Sequence, residues 1–524
     1  MIDWTKKEWD RSTITDVHGN VFFYRDLYEG KHAEIFSRAK HLIEQGEIID
    51  NITEGSVKAK NVQTPYIMAN VSRLIPEIPA MLVSRSIGQI NSSLNTKAEQ
   101  LAAMGKETAD LVDGPEGNEA NNTVYDLQQE LIEQIVKNSN LTFEHWTNIV
   151  QQQLDGGLVG VPWMDDDGIR IDFKQRDVYF THDDGKGVDL VYEREFNGDR
   201  YLHVYRERVE RGNLLTTNRL YKLKEGSGQL TELDESTTKE LLGLDVLDRV
   251  FEGRSRPFVE YLANEKTFMN PLGRSCLKNQ EGKQDEINWT LTRNAITFER
   301  NGKPRIAVSK EIFTALQDAA LQRYGPGGET RIDHRDLEVV TFDDEGKAME
   351  IIQIDVTKIG DLTWVKDLMK LMLMETSTSE KAVDFYLGEG SKQAAQSGIA
   401  KFYDLFVSIT KAEQIQKEYV YFLQNLFENC LWLANQDNSS VLIERPEIQT
   451  RAMVPISRQE LLEENAKAYT DGVQSLETTI KAIHPHAADD WIQEEIERIK
   501  AEGEIDDNPY PDDGGDEDES NGNM

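Results

Sequence analysis

The chain has 524 residues, 38% of them hydrophobic, and a formal net charge of -36. That length exceeds one ordinary core and implies about two to four packed units, with enough apolar residues to fill them. The acidic balance excludes binding that wraps nucleic acid by neutralising phosphates, which needs clustered Lys and Arg, but it does not exclude a wall past which DNA slides without sticking.

Residues 31 to 150 read mainly as helix. Ile67, Val71, Leu74, Ile75, Ile78, Met81, Leu82 and Val83 lie at roughly helical spacing within Pro65 to Ile90, and Pro76 and Pro79 predict a kinked, buried helix pair there. After a Gly/Asn-rich break, Leu127, Leu131, Ile135, Phe143, Trp146 and Ile149 restore the helical period to about Leu154. From Gly156 to Phe268 the pattern changes to short runs of β type, at Ile169 to Phe173, Val188 to Phe196, Tyr201 to Val209 and Arg219 to Leu223. Turn residues separate them, as in antiparallel meanders.

Asn270-Pro-Leu-Gly-Arg-Ser precedes a helix to about Phe298 whose apolar stripe, Ile287, Leu291, Ala295 and Phe298, is narrow. Its first half, Lys278 to Glu286, is almost wholly polar, so this helix is expected to be poorly buried within its own subunit and to face solvent, neighbours or a channel. Short strands at Arg305 to Val308, Leu337 to Phe342 and Ile351 to Ile354, with a helix near Ser309 to Arg323, form a small α/β insertion. Helical periodicity returns from Lys358 to Glu375, where the methionines read as core or subunit-contact filler. A Gly/Ser loop with glycines at 388 and 390 follows, then a long amphipathic helix from about Ala394 to Ala434. Val441 to Ile443 reads as one more strand, Ser457 and Glu460 suit a capping box, and helices follow at Arg458 to Ala468, Leu476 to Ile483 and Ala487 to Lys500. From Glu502 the chain is acidic, without Lys or Arg, and is expected to be disordered. The fold class is α+β, mainly helical.

Catalytic signatures are lacking. No Lys following a Gly is itself followed by Ser or Thr, Gly388-Glu-Gly390 lacks the third glycine of a dinucleotide loop, and no His-Glu-x-x-His occurs. His484 and His486, with Asp489 and Asp490 nearby, read as a surface pair before they read as metal ligands, and Asp165 to Asp167, Asp183 with Asp184, and Asp343 with Asp344 read as turn residues. Cys276 and Cys430 are too few for a disulfide framework and fall on helical patterns as packed thiols. Met1 to Arg11 is polar, and no run approaches bilayer length, so the reading is a soluble, unsecreted, non-enzymatic protein of a reducing compartment with no cofactor or metal. Arg300, Lys303, Arg305, Lys310, Arg323, Arg331 and Arg335 make the insertion the least acidic region; they are either solvated charges or a contact for DNA or an acidic partner.

Three stretches carry a resemblance: Ser397-Gly-Ile-Ala-Lys-Phe-Tyr403, Asn270 to Ser275 with the following Glu286-Ile-Asn-Trp helix, and Gly472-Val-Gln-Ser-Leu-Glu-Thr-Thr-Ile after Pro455-Ile-Ser. In this wording and order the chain resembles a tailed-bacteriophage portal protein of the SPP1-like group, over about residues 60 to 500. The resemblance implies a homo-oligomeric ring, usually of twelve subunits, at one capsid vertex, through which double-stranded DNA is packaged and ejected. Residues 1-268 would be the wing (helical over about 31-154, β-rich over about 156-268), 269-298 a stem helix, 299-356 the clip and 357-375 a second stem helix. Residues 376-392 would be the tunnel loop, 393-456 the long wing helix and a strand, 457-501 the crown and 502-524 the acidic tail. Implied partners are the large terminase subunit, head completion or adaptor proteins, and the major capsid and scaffold proteins; the implied location is the virion, with the host cytoplasm during assembly and no membrane. Lys381, Gly388, Gly390, Ser391 and Lys392 become candidate channel-loop residues, with Lys381 and Lys392 either touching DNA or simply solvated. Lys303, Arg305, Lys310 and Arg331 become candidate clip contacts. The alternatives are another head-tail connector or scaffold-associated protein, or a metal-dependent nuclease.

Overall fold

The computed structural model describes residues 2-46, 48, 64-94, 115-165, 168-224, 226-301, 305-309, 338-342, 349-352, 362-381, 398-453, 458-484 and 489-506, with isolated positions between 310 and 337. The chain is mixed α/β, about 52% helical and 21% strand. It divides into a larger unit, residues 1-390 with 405-453, and a smaller one, residues 391-404 with 454-524.

In the larger unit, helices α1 (Arg11–His18), α2 (Val21–Tyr28), α3 (His32–Ile35) and α4 (Ser37–Glu44) precede α5 (Leu74–Ser86). The predicted kinked pair is one helix. Pro76 falls in its first turn, where the missing N–H has no intrahelical acceptor anyway, and Pro79 lies inside without ending it. Residues 87-90, read as helix, are instead strand β1 (Ile87–Asn91). Helices α6 (Pro115–Asn138) and α7 (Leu141–Asp155) follow, the latter stopped by Gly156 at φ 82°.

The β region comprises β2 (Gly157–Asp165), β3 (Gly168–Gln175), β4 (Tyr179–Thr181), β5 (Gly187–Phe196), β6 (Asp199–Glu210), β7 (Asn213–Leu223) and β8 (Leu230–Glu232). Helix α8 (Glu235–Leu242) then precedes β9 (Asp248–Phe251) and β10 (Glu260–Ala263). One sheet has the order β4-β5-β6-β7-β8, with β9 also on β7; a second has the order β10-β2-β3. Asn197 and Gly198, at φ 54° and 85°, turn β5 into β6 with both central residues left-handed, the geometry that matches strand twist.

Helix α9 (Glu281–Asn301) leads to β11 (Arg305–Ser309), which pairs in parallel with β12 (Glu338–Phe342) and antiparallel with β13 (Met349–Ile352). These strands meet the expected runs within a few residues; most of the predicted 309-323 helix lies outside the described residues. Helix α10 (Thr363–Glu375) and the long helix α11 (Gly398–Asp437) follow, then β14 (Glu447–Thr450), paired with β1. No strand forms at 441-443. There the Gln128 side-chain amide accepts from Leu442 N (3.2 Å) and donates to Leu442 O (2.8 Å), taking the place of a neighbouring strand. From residue 405 onward α11 supplies a core of Ile409, Ile415, Tyr419, Phe422, Leu426, Phe427 and Leu431. At Gly160 on β2 a Cβ would stand 2.5 Å from the Leu426 side chain, so glycine lets the helix settle on the sheet.

Helix α9 overturns its expectation of poor burial. Gln280, just ahead of it, and Gln284, Asn288 and Thr292 recur every four residues along one side, and all are buried. The last three of these grip the segment 66-72, which runs irregularly to Asn70 and turns 3-10 helical at Val71. Gln284 accepts from Ser72 N (2.9 Å) and donates to Ala69 O (2.6 Å); Asn288 accepts from Ala69 N (3.1 Å) and donates to the Tyr66 hydroxyl (3.0 Å); Thr292 accepts from Ile67 N (2.9 Å). Asn288 Nδ2 also donates to His32 Nδ1 (2.8 Å), which assigns the imidazole hydrogen to Nε2, donating to Leu27 O (2.9 Å). The apolar stripe is narrow because amides do part of the packing. Asn288→Ala is therefore expected to cost about 1–3 kcal/mol for each buried group it leaves unpaired, read as a lowered urea midpoint.

The smaller unit contains α12 (Arg458–Thr470), α13 (Leu476–Ile483) and α14 (Asp489–Asp506) around Ile480, Ile492 and Ile496, with Leu476 and Trp491 beside them. Ser475 caps α13 by accepting from Thr478 N (3.2 Å), whereas the capping box expected at Ser457 lies outside the described residues. Helix α14 continues to Asp506, into the stretch expected to be disordered; Glu502, Glu504 and Asp506 extend it rather than end it, and 507-524 lie outside the described residues.

Candidate subunit-contact surface

Helix α10 is apolar over more of its circumference than one core needs. Val365, Leu368, Met372 and Leu373 are buried, the first three in a core shared with Ile75, Leu154, Cys276, Leu277 and Ile287. Trp364, Leu371 and Met374 lie on another side at spacings of seven and three, and are 51%, 39% and 68% exposed. Lys283 on α9 pairs with Glu375 at 2.8 Å, and that hydrogen bond holds the Glu375 carboxyl below its ordinary value.

The chain leaving α10 is tied to α11. Thr378 N donates to Leu373 O (2.8 Å), Ser379 N to Ser408 Oγ (2.8 Å), and Lys411 Nζ to Thr376 O (2.8 Å), while Ser377 takes a left-handed φ of 53°. Along the same flank of α11, Phe406, Val407 and Tyr421 are about half exposed. They line a groove of about 780 Å³ floored by Ile415 and Phe422 and walled by β10 and the loop after it. That loop ends in Phe268, 98% exposed, and Met269, 80% exposed.

The loop is nonetheless firmly held. Thr267 and Asn270 exchange backbone hydrogen bonds (3.2 and 3.1 Å), Arg274 pairs with Glu265 (2.7 Å), and the Tyr261 hydroxyl donates to Leu272 O (2.6 Å). Gly273, at φ 81°, has no room for a Cβ against Asn264 N (2.9 Å). Large apolar side chains on braced elements are what an association surface requires, since removing each from water is worth about 1.5–3 kcal/mol.

No protein-family model matches the chain, and no curated protein matches it.

Among the candidate residues read from sequence, Lys381 is exposed at the end of the segment tied to α11, one residue beyond Glu380, which pairs loosely with Lys370 (3.7 Å). Gly388, Gly390, Ser391 and Lys392 lie outside the described residues, as do Lys303, Lys310, Arg323, Arg331 and Arg335. Arg305 opens β11, opposite Glu338 and Ile352 in register. Among the described residues no group of three or more His, Cys, Asp or Glu side chains is placed to hold a metal ion. Asp184 accepts from Lys186 N (3.1 Å) within its turn and pairs with Arg208 (3.2 Å), and the His484 ring meets Trp491 edge-on at 5.1 Å. His486, Asp166, Asp167, Asp343 and Asp344 lie outside the described residues. Both thiols are buried and free, and burial pushes Cys276 up to about 12. No helix of the described residues is long and apolar enough to cross a membrane.

The buried ionic groups serve the scaffold. Asp189 accepts from Trp4 Nε1 (2.8 Å) and from Arg206 (2.7 Å) and is bonded to His182 Nε2 (2.8 Å), clasping the N-terminal segment onto β5 and β6. Burial pushes its carboxyl up, and these bonds more than offset that, leaving it below its ordinary value. Glu207 accepts from Phe258 N (2.7 Å), Val259 N (3.1 Å) and the Tyr205 hydroxyl (2.7 Å), yet burial keeps its carboxyl raised. Sequence reading missed both groups. Charged residues on alternating strands look alike whether they face water or a neighbouring loop.

Proposed function

We propose that this chain is the subunit of a tailed-phage portal: a closed ring of identical copies, usually twelve, at one capsid vertex, through which double-stranded DNA enters and leaves. The observation that carries the reading is the excess of exposed apolar side chains on braced elements, Trp364, Leu371 and Met374 on α10, Phe406, Val407 and Tyr421 on α11, and Phe268 with Met269 on their loop. Scattered apolar residues are normal, but sets of this size on rigid elements mark interaction surfaces. Contacts between copies related by a closed cyclic axis would cover such side chains, and a ring is the arrangement in which they close.

In this reading 1-268 is the wing, 269-298 and 357-375 the stem, 299-356 the clip, 376-392 the tunnel loop, 393-456 the long wing helix and strand, and 457-501 the crown. The net charge of -36 suits a bore past which a polyanion moves without being held. The terminase and head completion proteins would dock at the clip, and capsid and scaffold proteins around the wing. Because one side of α9 is engaged by its own chain, only its other sides, with Arg293 and Phe298, remain for neighbours or channel.

Electron microscopy and native mass spectrometry of the purified chain test this. Rings with a central hole are expected, and a monodisperse monomer at high concentration sinks the reading.

A further inference from the structure

We infer that His32 and Asn288 form a proton-sensitive latch: uptake of one proton by His32 releases the backbone of 66-72 from α9. The inference rests on the fold and not on the ring reading, in which the same contact joins the wing to the stem helix. His32, Gln284 and Asn288 are fully buried, and the direction of their bonds is fixed from both ends. At one end Leu27 O can only accept, so His32 Nε2 carries the hydrogen (2.9 Å) and Nδ1 is bare. At the other, Ala69 N and Ser72 N can only donate, so the side-chain oxygens of Asn288 (3.1 Å) and Gln284 (2.9 Å) must face them. Asn288 Nδ2 is thereby turned to His32 Nδ1 (2.8 Å). The network is complete for a neutral imidazole and for no other.

A proton on Nδ1 sets two donors face to face. Turning the ring over exchanges one N–H for the other, since both nitrogens of the cation donate. Turning the Asn288 amide offers its oxygen to the imidazolium but puts its NH2 against Ala69 N and against Gln284 Nε2, which donates to Asn288 Oδ1 (3.0 Å) in the closed form. Turning Gln284 as well strands Ser72 N. Whichever amide yields, the mismatch is delivered to the backbone of 66-72, just ahead of α5.

No carboxylate stands by to take up the new charge. The Phe36 ring meets the imidazole edge-on at 5.5 Å, and the ionisable groups on the surrounding elements are engaged elsewhere. Tyr24 on α2 bonds Glu281 on α9 (2.7 Å), Lys31 pairs with Asp26 (2.9 Å), and Arg38 on α4 pairs with Asp285 (3.6 Å) and Glu286 (2.9 Å) on α9. Tyr66, on the segment itself, accepts from Asn288 (3.0 Å). None of these charges acts on His32; burial holds its pKa below the ordinary 6.5, against the bond to Leu27 O. The open form, with its imidazole in water, therefore takes up a proton at higher pH than the closed form. The latch is fully closed above pH 6.5 and loosens as the pH falls below it.

Hydrogen exchange of the 66-72 amides in the full chain, between pH 7.5 and 5.5 and corrected for the intrinsic pH dependence of exchange, tests this. Protection should fall in the parent by up to about tenfold for each unit below pH 6.5. His32→Gln keeps an acceptor for Asn288 and a donor for Leu27 O but has no proton to gain, so its protection should stay level. Asn288→Asp keeps the shape and only accepts; His32, Ala69 N, Gln284 and the Tyr66 hydroxyl can all donate to it, so 66-72 should stay held with His32 charged. Protection that is level in the parent, or that falls equally in the parent and His32→Gln, overturns the latch whether or not Asn288→Asp folds. An Asn288→Asp chain that folds and still opens with acid overturns it as well.

Discussion

Arg25→Ala should destabilise the larger unit by about 3–5 kcal/mol, enough to move its urea or thermal transition plainly. Arg25 donates to both oxygens of Asp155 (2.9 and 2.6 Å) and to Asp177 (2.8 Å), joining α2, α7 and the turn before β4. The Asp155 side chain has no exposure at all. Burial pushes its carboxyl up, with the bonds from Arg25 working against that. Without the guanidinium, a buried charge is left with only the Gln151 amide, and its folded pKa rises further above that of the unfolded chain. The folded state of the variant then holds its proton more tightly than the unfolded state does. Its deficit against the parent should therefore shrink as the pH falls through that raised value and be full at neutral pH. Arg25→Ala with Asp155→Asn should recover much of the loss at pH 7, because no charge is then stranded. A single-variant deficit independent of pH would mean that lost packing of Arg25 over the Phe22 ring (5.4 Å), rather than the ion pair, sets the cost.

Periodicity made most elements legible. Val365, Leu368 and Met372 state their helix without help from the rest of the chain, and the Asn197-Gly198 turn states its hairpin, because local sterics alone dictate both. What failed was long-range. Helix α9 was read as unburied because its inner side is amide rather than aliphatic, and an amide looks solvent-facing until the backbone of 66-72 is laid beside it. One signal was present: Gln280, Gln284, Asn288 and Thr292 fall on one four-residue row, from Cys276 to Ile296, that no charged residue occupies. Similarly, Gln128 replaces a strand partner for 441-443 across more than three hundred residues, which no local pattern announces. The exposed apolar side chains were hidden for the opposite reason. Phe268, Trp364 and Met374 are the residue types that build cores, and only the fold separates an apolar side chain that is covered from one that is exposed.

Acid should unfold this chain early, through histidines rather than carboxylates. His18 is buried against Phe180 (5.0 Å), with neither ring nitrogen hydrogen-bonded, and burial, with the charges of Arg176 and Arg25, holds its pKa down to about 3. His145 is buried with its Nδ1 at the Tyr419 hydroxyl (3.0 Å), and burial holds it down to about 4. Both folded values lie below the unfolded value of 6.5, so as the pH drops the unfolded chain takes up protons first. The stability that is intact above pH 6.5 is lost progressively down to those folded values. At about 1.36 kcal/mol per unit the two groups together withdraw roughly 8 kcal/mol, comparable with the whole stability of an ordinary domain. Urea titrations between pH 7.5 and 4 should show the midpoint falling steadily from about pH 6.5. His18→Phe, which keeps a ring against Phe180 and removes the proton site, should flatten more than half of that fall. A midpoint that stays level to pH 5 in the parent, or falls equally in His18→Phe, would show that this imidazole is not what acid acts on.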